Sequence, residues 1–438
     1  MPSRPQLPPG PYLVVGLARS GQAAARMLAA RGETVIGVDG GAPEIQLAGV
    51  EVHTGVDGVE LLDRGVGTVV KSPGVPSEAP VIAEARRQGI EVMGELELGW
   101  RLLANRFVAV TGTNGKTTTV ELLGAIWRAA DLPVAVAGNV GTPLSSLVGE
   151  LAAGATVICE ASSFQLEDAS AFAPEVAVLL NVEEDHLDRH GDLASYRAAK
   201  ERIFASQGRE DWAVAPPDLR PRGAATWLSF GPGADASVRD GWIRFRGEPV
   251  LAVEQLRLRG AHNLDNALAA TAAALAGGAV DPAAVAEALR TFPGVEHRLE
   301  DVATVAGVLY VNDSKATNPA SAVRGLEAFD GGGVHAILGG SLKGGGFTAL
   351  RAAVGERCRA CYLIGEAEDR LAADLDGTAP LVRAGTLERA LAAAAAAAAP
   401  GEVVLLSPAC ASFDAFRDFE HRGASFKDLV RSLAEERS

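Results

Sequence analysis

Residues 111 to 117 read Thr-Gly-Thr-Asn-Gly-Lys-Thr, a glycine-rich loop between an apolar β-type run and a helical stretch. In such a loop the backbone N–H groups and the helix N-terminus bind phosphate oxygens, the lysine reaches the terminal phosphates, and a threonine hydroxyl can ligate Mg²⁺. The strict form of the pattern is not met, because its first glycine would fall on Val110. The shorter Gly-x-x-Gly-Lys-Thr form keeps every group with a mechanical role. The predicted ATP contacts here are Gly112, Thr113, Asn114, Gly115, Lys116, Thr117 and Thr118.

Two polar side chains follow apolar runs downstream of this loop. The run 155–159 ends in Glu160, and the run 176–180 leads through Asn181 to His186. In an open parallel sheet, ligands bind beyond the carboxyl ends of the strands. We therefore expect Glu160 and His186 to face the same place as Lys116, where both could ligate a metal. An isolated histidine is more often structural, but this position favours a functional role.

The N-terminal part carries a second glycine turn, Gly16-Leu-Ala-Arg-Ser-Gly21, followed by Asp39 at the end of the next apolar run. The turn resembles a dinucleotide fingerprint in which Ala18 replaces the middle glycine, and such a pattern is weak on its own. It predicts a diphosphate at a helix N-terminus and does not require NAD. The turn Lys71-Ser-Pro-Gly74 could be structural only.

The C-terminal part repeats the strand-end pattern at 312–318, 339–343 and 407–412, each time with lysines or hydroxyls. Together these three segments favour a site for a small anionic substrate. Arginine greatly outnumbers lysine, so some lysines are expected to serve chemistry that a guanidinium cannot perform. We attribute Lys71 and Lys427 to chance. The chain's lysines are Lys71, Lys116, Lys200, Lys315, Lys343 and Lys427.

These segments are connected by β-rich runs that alternate with alanine-rich helical stretches from end to end, which is typical of parallel sheets covered by helices. The 438 residues suffice for two or three domains. We predict an α/β protein of three domains: a Rossmann-like domain at 1–97, a central P-loop ATPase-like domain with a mainly parallel sheet at 98–299, and a C-terminal Rossmann-like domain at 300–438.

The composition excludes several classes of partner. A formal charge of -15 argues against nucleic-acid and anionic-membrane partners. No apolar run reaches about 18 residues and no secretory leader is recognisable, so we expect a soluble cytoplasmic protein without membrane insertion. The four cysteines are too few and scattered for a disulfide framework. The spacing of Cys358 and Cys361 suits a redox motif, but no second pair completes a zinc site.

Several motifs together resemble the Mur ligases, and the resemblance covers the whole chain. The resemblance implies the ligation of an amino acid to a peptidoglycan precursor by way of an acyl phosphate. The N-terminal turn and the 407–414 segment favour UDP-N-acetylmuramoyl-L-alanine and D-glutamate as substrates. The resemblance implies ATP and two Mg²⁺ ions as cofactors. No motif reports the oligomeric state, and we expect a monomer. The motifs are 112–117, 181–188, 260–266, His297-Arg298, 312–318 and 407–412.

The resemblance also implies roles for individual residues. Metal ligation falls on Thr117, Glu160, His186 and a carbamylated Lys200, and Lys315 lies near the reacting phosphate. The adenosine contacts are Asn263, Asn266, Arg298 and Asp313. The contacts to the UDP substrate are Gly16, Arg19, Ser20, Asp39, Ser72, Asn139, Gln165 and His186. The contacts to D-glutamate are Thr317, Lys343, Ser412 and Phe419.

The carbamate at Lys200 could not be inferred without the resemblance. A lysine with an ordinary pKa of about 10.4 is neutral in only about one part per thousand near pH 7.4, and only the neutral amine takes up CO₂. Without the family match, Lys200 would be taken for a solvated helix lysine.

Two other readings stay open. One is a related ligase, either a folate polyglutamylating enzyme or a Mur ligase for another amino acid; the folate enzyme resembles only the last two parts of the chain. The other is a nucleotide-gated switch that hydrolyses ATP without ligation, which would leave the C-terminal lysines and hydroxyls without a role.

Overall fold

The computed structural model describes residues 4–41, 45–278, 280–329, 331–342 and 345–437. The chain divides into two compact units. The first contains residues 1–256 and 265–290, and the second contains 257–264 and 291–438. The sheets are mainly parallel and alternate with helices, so the predicted α/β class is confirmed. The finer division into three domains at residues 97 and 299 stays a prediction.

The first unit begins with a five-stranded parallel sheet of order β3-β2-β1-β4-β5. The strand order reverses between β1 and β4, and ligands bind at such a reversal in α/β sheets. Apolar clusters cover both faces of the sheet. The strands are β1 (Tyr12–Val15), β2 (Val35–Asp39), β3 (Glu51–Thr54), β4 (Thr68–Lys71) and β5 (Glu91–Gly94), and the helices are α1 (Arg19–Ala30), α2 (Pro80–Arg87) and α3 (Glu95–Leu102).

The same unit contains a six-stranded parallel sheet of order β11-β10-β9-β6-β8-β7. Its middle strands β9, β6 and β8 are mostly apolar and are buried at every position but Arg106, as expected for a sheet with both faces covered. The strands are β6 (Arg106–Thr111), β7 (Val134–Gly138), β8 (Thr156–Glu160), β9 (Val176–Leu179), β10 (Trp212–Ala215) and β11 (Thr226–Ser229). The helices are α4 (Lys116–Ala129), α5 (Ser163–Leu166), α6 (Leu187–His190) and α7 (Leu193–Glu201).

A small antiparallel sheet and two helices complete the first unit, and the unit boundary falls within the first of these helices. The strands are β12 (Ala236–Arg239), β13 (Trp242–Phe245) and β14 (Glu248–Ala252), and the helices are α8 (Ala261–Leu275) and α9 (Pro282–Thr291).

The second unit is built on a six-stranded sheet of order β15-β16-β20-β17-β18-β19, in which β15 alone runs antiparallel to its neighbour. Apolar clusters lie on both faces. The strands are β15 (Glu300–Val305), β16 (Val308–Asn312), β17 (Val334–Gly339), β18 (Cys358–Ile364), β19 (Leu381–Gly385) and β20 (Val403–Leu406). The helices are α10 (Pro319–Glu327), α11 (Arg351–Arg357), α12 (Glu368–Asp374), α13 (Leu387–Ala397) and α14 (Phe419–Glu436).

Candidate active site

The glycine-rich loop 112–115 joins the end of β6 to the start of α4, in the strand-loop-helix arrangement that the sequence predicts. Gly115 has a φ of +82°, which favours glycine. A Cβ atom at this position would lie 2.2 Å from Asn266 Oδ1. Asn266 of α8 is therefore packed directly against the loop, so a predicted adenosine contact and the predicted phosphate loop lie together.

Polar contacts from the segment after β9 fix the shape of this loop. Asn181 Oδ1 accepts a hydrogen bond from the Asn114 backbone N–H at 2.9 Å. The backbone carbonyl of Asn181 accepts one from the Thr113 N–H at 3.0 Å. The backbone N–H of Glu183 donates to the Thr113 hydroxyl at 3.0 Å. Asn181 and Glu183 belong to the motif 181–188, but no role had been predicted for either residue.

Two lysines converge on one carbonyl at the start of the loop. Lys116 Nζ donates to the carbonyl oxygens of Gly112 at 2.8 Å and Thr113 at 2.9 Å. Lys200 Nζ, from helix α7, donates to the same Gly112 oxygen at 2.8 Å. Both lysine amino groups therefore lie at the start of the loop, where the charge of Lys116 suits the anionic oxygens of a nucleoside triphosphate.

Lys200 is not the solvated helix lysine that its local sequence would suggest. Its side chain is fully buried, and Nζ lies 4.3 Å from the centroid of the Tyr196 ring. Burial, together with the charge of Lys116, lowers the pKa of Lys200 to about 7, although Asp185 opposes the shift. A large fraction of this amine is therefore neutral near neutral pH.

Thr117 and Glu160 meet beside the loop. Thr117 Oγ1, in the first turn of α4, donates to Glu160 Oε2 at 2.8 Å, and Asn139 Nδ2 donates to Glu160 Oε1 at 3.0 Å. Hydroxyl and carboxylate oxygens are the ligands that Mg²⁺ prefers, and this ion usually takes only one or two carboxylates besides phosphates and water. The donor set fits Mg²⁺. Within the described residues, no three His, Cys, Asp or Glu side chains form a group that could hold a metal by themselves.

His186 stands immediately before helix α6 with a φ of +52°. Its half-exposed ring lies 4.9 Å from the Phe164 ring and 6.2 Å from the Tyr196 ring, measured between centroids. The Tyr196 ring also contacts Lys200 Nζ, so one aromatic residue lies against two of the predicted metal ligands, His186 and Lys200. The assignment of all four metal ligands stays a prediction.

The turn after β1 borders a cleft of about 450 Å³ at the reversal point of the first sheet. Ser72 Oγ donates to the Gly16 carbonyl at 2.6 Å, and Asp39 Oδ2 accepts the Leu17 N–H at 2.7 Å. Four of the predicted UDP-substrate contacts line this cleft, namely Gly16, Ser20, Asp39 and Ser72.

Three further predicted contacts to the UDP substrate lie elsewhere in the first unit. Arg19 donates from Nη1 to the Gly141 carbonyl at 3.0 Å. Asn139 contacts Glu160, as described above. Gln165 is buried in α5, where its Oε1 accepts the Ser162 N–H at 3.0 Å as part of a capping box. Gln165 therefore also has a structural role that was not predicted.

In the second unit, predicted residues gather where β16 and β20 end. Asp313 Oδ2 accepts the Ser407 hydroxyl at 2.7 Å, and burial raises the pKa of Asp313 to about 7. Lys315 Nζ lies 4.7 Å from the centroid of the Phe419 ring. Ser412 is buried in the loop after β20.

The remaining predicted residues are placed as follows. Thr317 lies in the loop after β16, and its N–H donates to the Lys315 carbonyl at 2.8 Å. Arg298 lies in a turn before β15 and attracts the Asp313 carboxylate. Asn263 donates from Nδ2 to the Arg259 carbonyl at 2.7 Å. Lys343 lies outside the described residues.

The cysteines and the possibility of a membrane-spanning helix were raised by the sequence and can be compared with the structure. All four cysteines are buried and free, and Cys358 and Cys361 both lie within β18. In the described parts of the chain, no helix combines the length and apolar character needed to cross a bilayer.

The strand, glycine-rich loop and helix at 106–129 give the chain the form of a nucleotide-binding α/β protein. Family comparison narrows this class: the Mur ligase middle domain matches residues 110–274, and the Mur ligase glutamate ligase domain matches residues 297–410. The chain belongs to the Mur ligase family and is an enzyme of the ligase class. Members of this family use ATP and Mg²⁺.

Curated relatives agree over nearly the full length. The UDP-N-acetylmuramoylalanine–D-glutamate ligase of Acidobacterium capsulatum is 44% identical, covering 95% of this chain and 95% of the relative. The enzyme of the same name from Koribacter versatilis is 42% identical, covering 97% and 98%.

Solved structures show the same fold at low identity. The UDP-N-acetylmuramate-alanine ligase of Thermotoga maritima matches with a TM-score of 0.61 and 19% identity, covering 98% of this chain and all of that one. A pseudomurein peptide ligase type C from Methanothermus fervidus matches with a TM-score of 0.57 and 16% identity, covering 96% and 99%.

Proposed function

We propose that this protein joins D-glutamate to UDP-N-acetylmuramoyl-L-alanine through an acyl-phosphate intermediate, with the conversion of ATP to ADP and phosphate. The observation that carries the proposal is the convergence of Lys116 and Lys200 on the Gly112 carbonyl, beside Thr117 and Glu160. The chain's full-length likeness to relatives that bear the name of this activity supports the choice of substrates.

The first step joins two anions, since the substrate carboxylate attacks the γ-phosphorus and ADP leaves. The loop amides would hold the phosphates in line, and the ammonium of Lys116 would reduce the repulsion between the anions. Mg²⁺ held by Thr117 and Glu160 would neutralise further charge on the phosphates. In the second step the amine of D-glutamate displaces phosphate through a tetrahedral oxyanion. Cationic donors typically contribute about 10²- to 10³-fold each to such a step.

Lys200 fits the carbamylated metal ligand that the family resemblance implies. The neutral amine takes up CO₂, and the lowered pKa of Lys200 supplies that form near neutral pH. The positive charge of the neighbouring Lys116 also favours an anionic carbamate at this position. We propose that this group and His186 hold a second Mg²⁺.

Substrate binding is assigned by domain. The domain at 1–97 would bind the UDP moiety in the cleft at Gly16, Asp39 and Ser72, the domain at 98–299 would bind ATP, and the domain at 300–438 would bind D-glutamate. Asp39 is followed by two glycines, so recognition of uracil beyond Asp39 needs backbone groups. The buried free cysteines support a reducing cytoplasm as the site of action.

Phosphate release measured with a panel of D- and L-amino acids tests the proposal. We expect release only when UDP-N-acetylmuramoyl-L-alanine, ATP, Mg²⁺ and D-glutamate are all present. Lys116→Met should abolish it, because the phosphates lose their cation. Lys427→Met is the matched control, since Lys427 pairs with Glu296 and Glu300 in the second unit and should leave release unchanged.

The other readings predict different outcomes of the same assay. Equal release without any amino acid would identify a nucleotide-driven switch and contradict ligation. Release that depends on an L-amino acid would identify a Mur ligase of another specificity, and release that depends on a folate would identify the polyglutamylating enzyme.

A further inference from the structure

Arg422 is the largest fully buried side chain among the described residues and lies in the first turn of α14. A guanidinium has five N–H donors. All five are used here, and the acceptors are backbone carbonyls except for one serine hydroxyl. Nε donates to Ser314 Oγ at 3.0 Å, Nη1 to Gly339 O at 3.4 Å and Ala411 O at 3.2 Å, and Nη2 to Ser314 O at 2.9 Å and Cys410 O at 3.1 Å.

These acceptors come from three segments that end neighbouring parallel strands. Ser314 follows β16, Gly339 ends β17, and Cys410 and Ala411 follow β20. The three segments are those in which the sequence predicts the site for a small anionic substrate. One side chain therefore links the carboxyl ends of three neighbouring strands, β16, β20 and β17, where the proposed D-glutamate site lies.

The loop after β20 contains a strained residue that the hydrogen bonds of Arg422 help to hold in place. Ala409 has a φ of +60°, a conformation that costs an L-residue free energy. The two following carbonyls, of Cys410 and Ala411, are both held by Arg422. Ser412, the predicted D-glutamate contact, is the next residue. Its position is thus set by a strained turn that Arg422 keeps in place.

The same arginine reaches Phe419 and Lys315 through Ser314. The Ser314 hydroxyl accepts from Arg422 and donates to the Phe419 carbonyl at 2.8 Å. Lys315 is the neighbour of Ser314, and its Nζ lies over the Phe419 ring. Arg422 and Phe419 are also three residues apart on one helix, which places them on the same face.

Arg422 contributes charge as well as geometry. Within the described residues it forms no ion pair with a carboxylate, and Asp414 and Cys410 act on it only at longer range. Burial lowers the pKa of Arg422 to about 10, so it stays protonated at neutral pH. Its partners are carbonyl dipoles, which do not cancel its net charge. A buried positive charge beneath three loops attracts a dicarboxylate amino acid.

We propose that Arg422 is a positioning residue for the amino-acid substrate: it does not touch the substrate, but it shapes the three loops that bind it and gives their floor a positive charge. The proposal rests on the proposed function for the location of the D-glutamate site. It predicts that Arg422 acts on the KM for the amino acid and not on the binding of ATP or the UDP substrate.

Steady-state kinetics of Arg422→Lys with each substrate varied in turn provide the test. Lysine keeps the charge but has three donors without the planar fork, so it cannot hold all five acceptors. We expect a KM for D-glutamate at least about tenfold higher, with kcat reduced less and with KM values for ATP and the UDP substrate within about twofold of wild type. Arg357→Lys is the matched control. Arg357 ends α11 just before the first residue of β18, at the opposite edge of the sheet, and donates to the Phe329 carbonyl.

A second variant guards against a loss of folding. Arg422→Ala removes the guanidinium, and added guanidinium ion should lower the KM for D-glutamate in this variant while leaving Arg357→Ala unchanged. An unchanged KM for D-glutamate in a folded Arg422→Lys protein overturns the proposal. Equal increases in all three KM values also overturn it, because that result describes general destabilisation.

The test separates this inference from the proposed function. If the amino-acid panel on wild-type protein selects another amino acid, the function proposed above fails, and the KM split is measured with the selected amino acid instead. If no amino acid is used, both claims fail together. If wild type uses D-glutamate and Arg422→Lys behaves like wild type, only the role of Arg422 fails.

Discussion

Two buried lysines of the first unit, Lys71 and Lys200, have opposite surroundings. Lys71 Nζ lies 2.8 Å from Asp168 Oδ2 and donates to the Val75 carbonyl at 2.9 Å. Lys200 donates to a carbonyl and lies over an aromatic ring, and within the described residues it has no carboxylate at ion-pair distance. Both side chains are fully buried. The ion pair of Lys71 indicates a structural role, whereas Lys200, without such a pair, is available for chemistry.

The physical reason is the high free energy of an unpaired charge in a protein interior. A buried ammonium either acquires a carboxylate partner or shifts its pKa towards the neutral form. Lys71, at the end of β4, takes the first course by pairing with Asp168 in the segment after α5, and Lys200 takes the second beside the glycine-rich loop. Strongly perturbed ionisable groups in clefts are often functional.

The buried glutamates of α3 repeat this contrast. Glu97 pairs with Arg101 at 2.8 Å and accepts hydrogen bonds from Ser170 and Ala171. Glu95 accepts the Ser145 N–H at 2.7 Å through one oxygen, while its other oxygen is buried without a partner among the described residues. Burial raises the pKa of Glu95.

The largest effect is expected at Lys200. Lys200→Met should lower the ligation rate by at least about 10³-fold, or about 4 kcal/mol in the barrier, because the proposed carbamate, and with it a ligand of the second Mg²⁺, is lost. The stability should change by no more than about 1 kcal/mol, since an unpaired buried charge is replaced by an apolar chain. Ligation rates and urea unfolding of the same samples check both statements.

Two further variants of Lys200 distinguish the effect of its positive charge on the ligation rate from the effect of the carbamate. Lys200→Arg keeps a cation but cannot form a carbamate, and it should be as inactive as Lys200→Met. Lys200→Ala should recover part of its activity when short carboxylates are added to replace the carbamate. Full activity of any of the three untreated variants would remove the carbamate from the mechanism.

Lys71→Met should reverse the pattern seen at Lys200. Among the described residues, its loss leaves the buried Asp168 with Arg86 as the one remaining cation, 3.3 Å away and half exposed, so we expect a loss of about 3 kcal/mol in stability. The ligation rate of the folded fraction should fall less than tenfold. The double variant Lys71→Met with Asp168→Leu should regain much of the stability, because no charge is then left unpaired. A Lys71→Met protein that is stable but inactive would break the comparison.

The sequence predicted the parts of the site that consecutive residues determine. The strand, loop and helix at 106–129 follow from local pattern, and the position of Glu160 follows from the rule for strand ends. Lys71 was attributed to chance because its partner Asp168 is far away in the sequence. Arg422 was missed for the same reason, since its five acceptors come from three separate segments. No spacing pattern reports contacts that only the packed fold creates.

The smallest expected effect concerns Glu95. Because its pKa is raised on folding, the folded protein binds the proton more tightly than the unfolded chain does. Its contribution to stability is therefore fully present below the unfolded pKa near 4.5 and is lost as the pH rises towards the folded pKa. Glu95→Gln resembles the protonated side chain and should match wild type within about 1 kcal/mol near pH 5.

The advantage of Glu95→Gln over wild type should then grow as the pH rises to 8, measured as urea unfolding midpoints across that range. Glu97→Gln is the paired control. It weakens a charge pair with Arg101, whose side chain is only 7% exposed, and should be less stable than wild type at every pH in the range. If both glutamine variants showed the same pH dependence, Glu95 would have to be paired in solution, and the contrast between paired and unpaired buried charges would apply to the lysines alone.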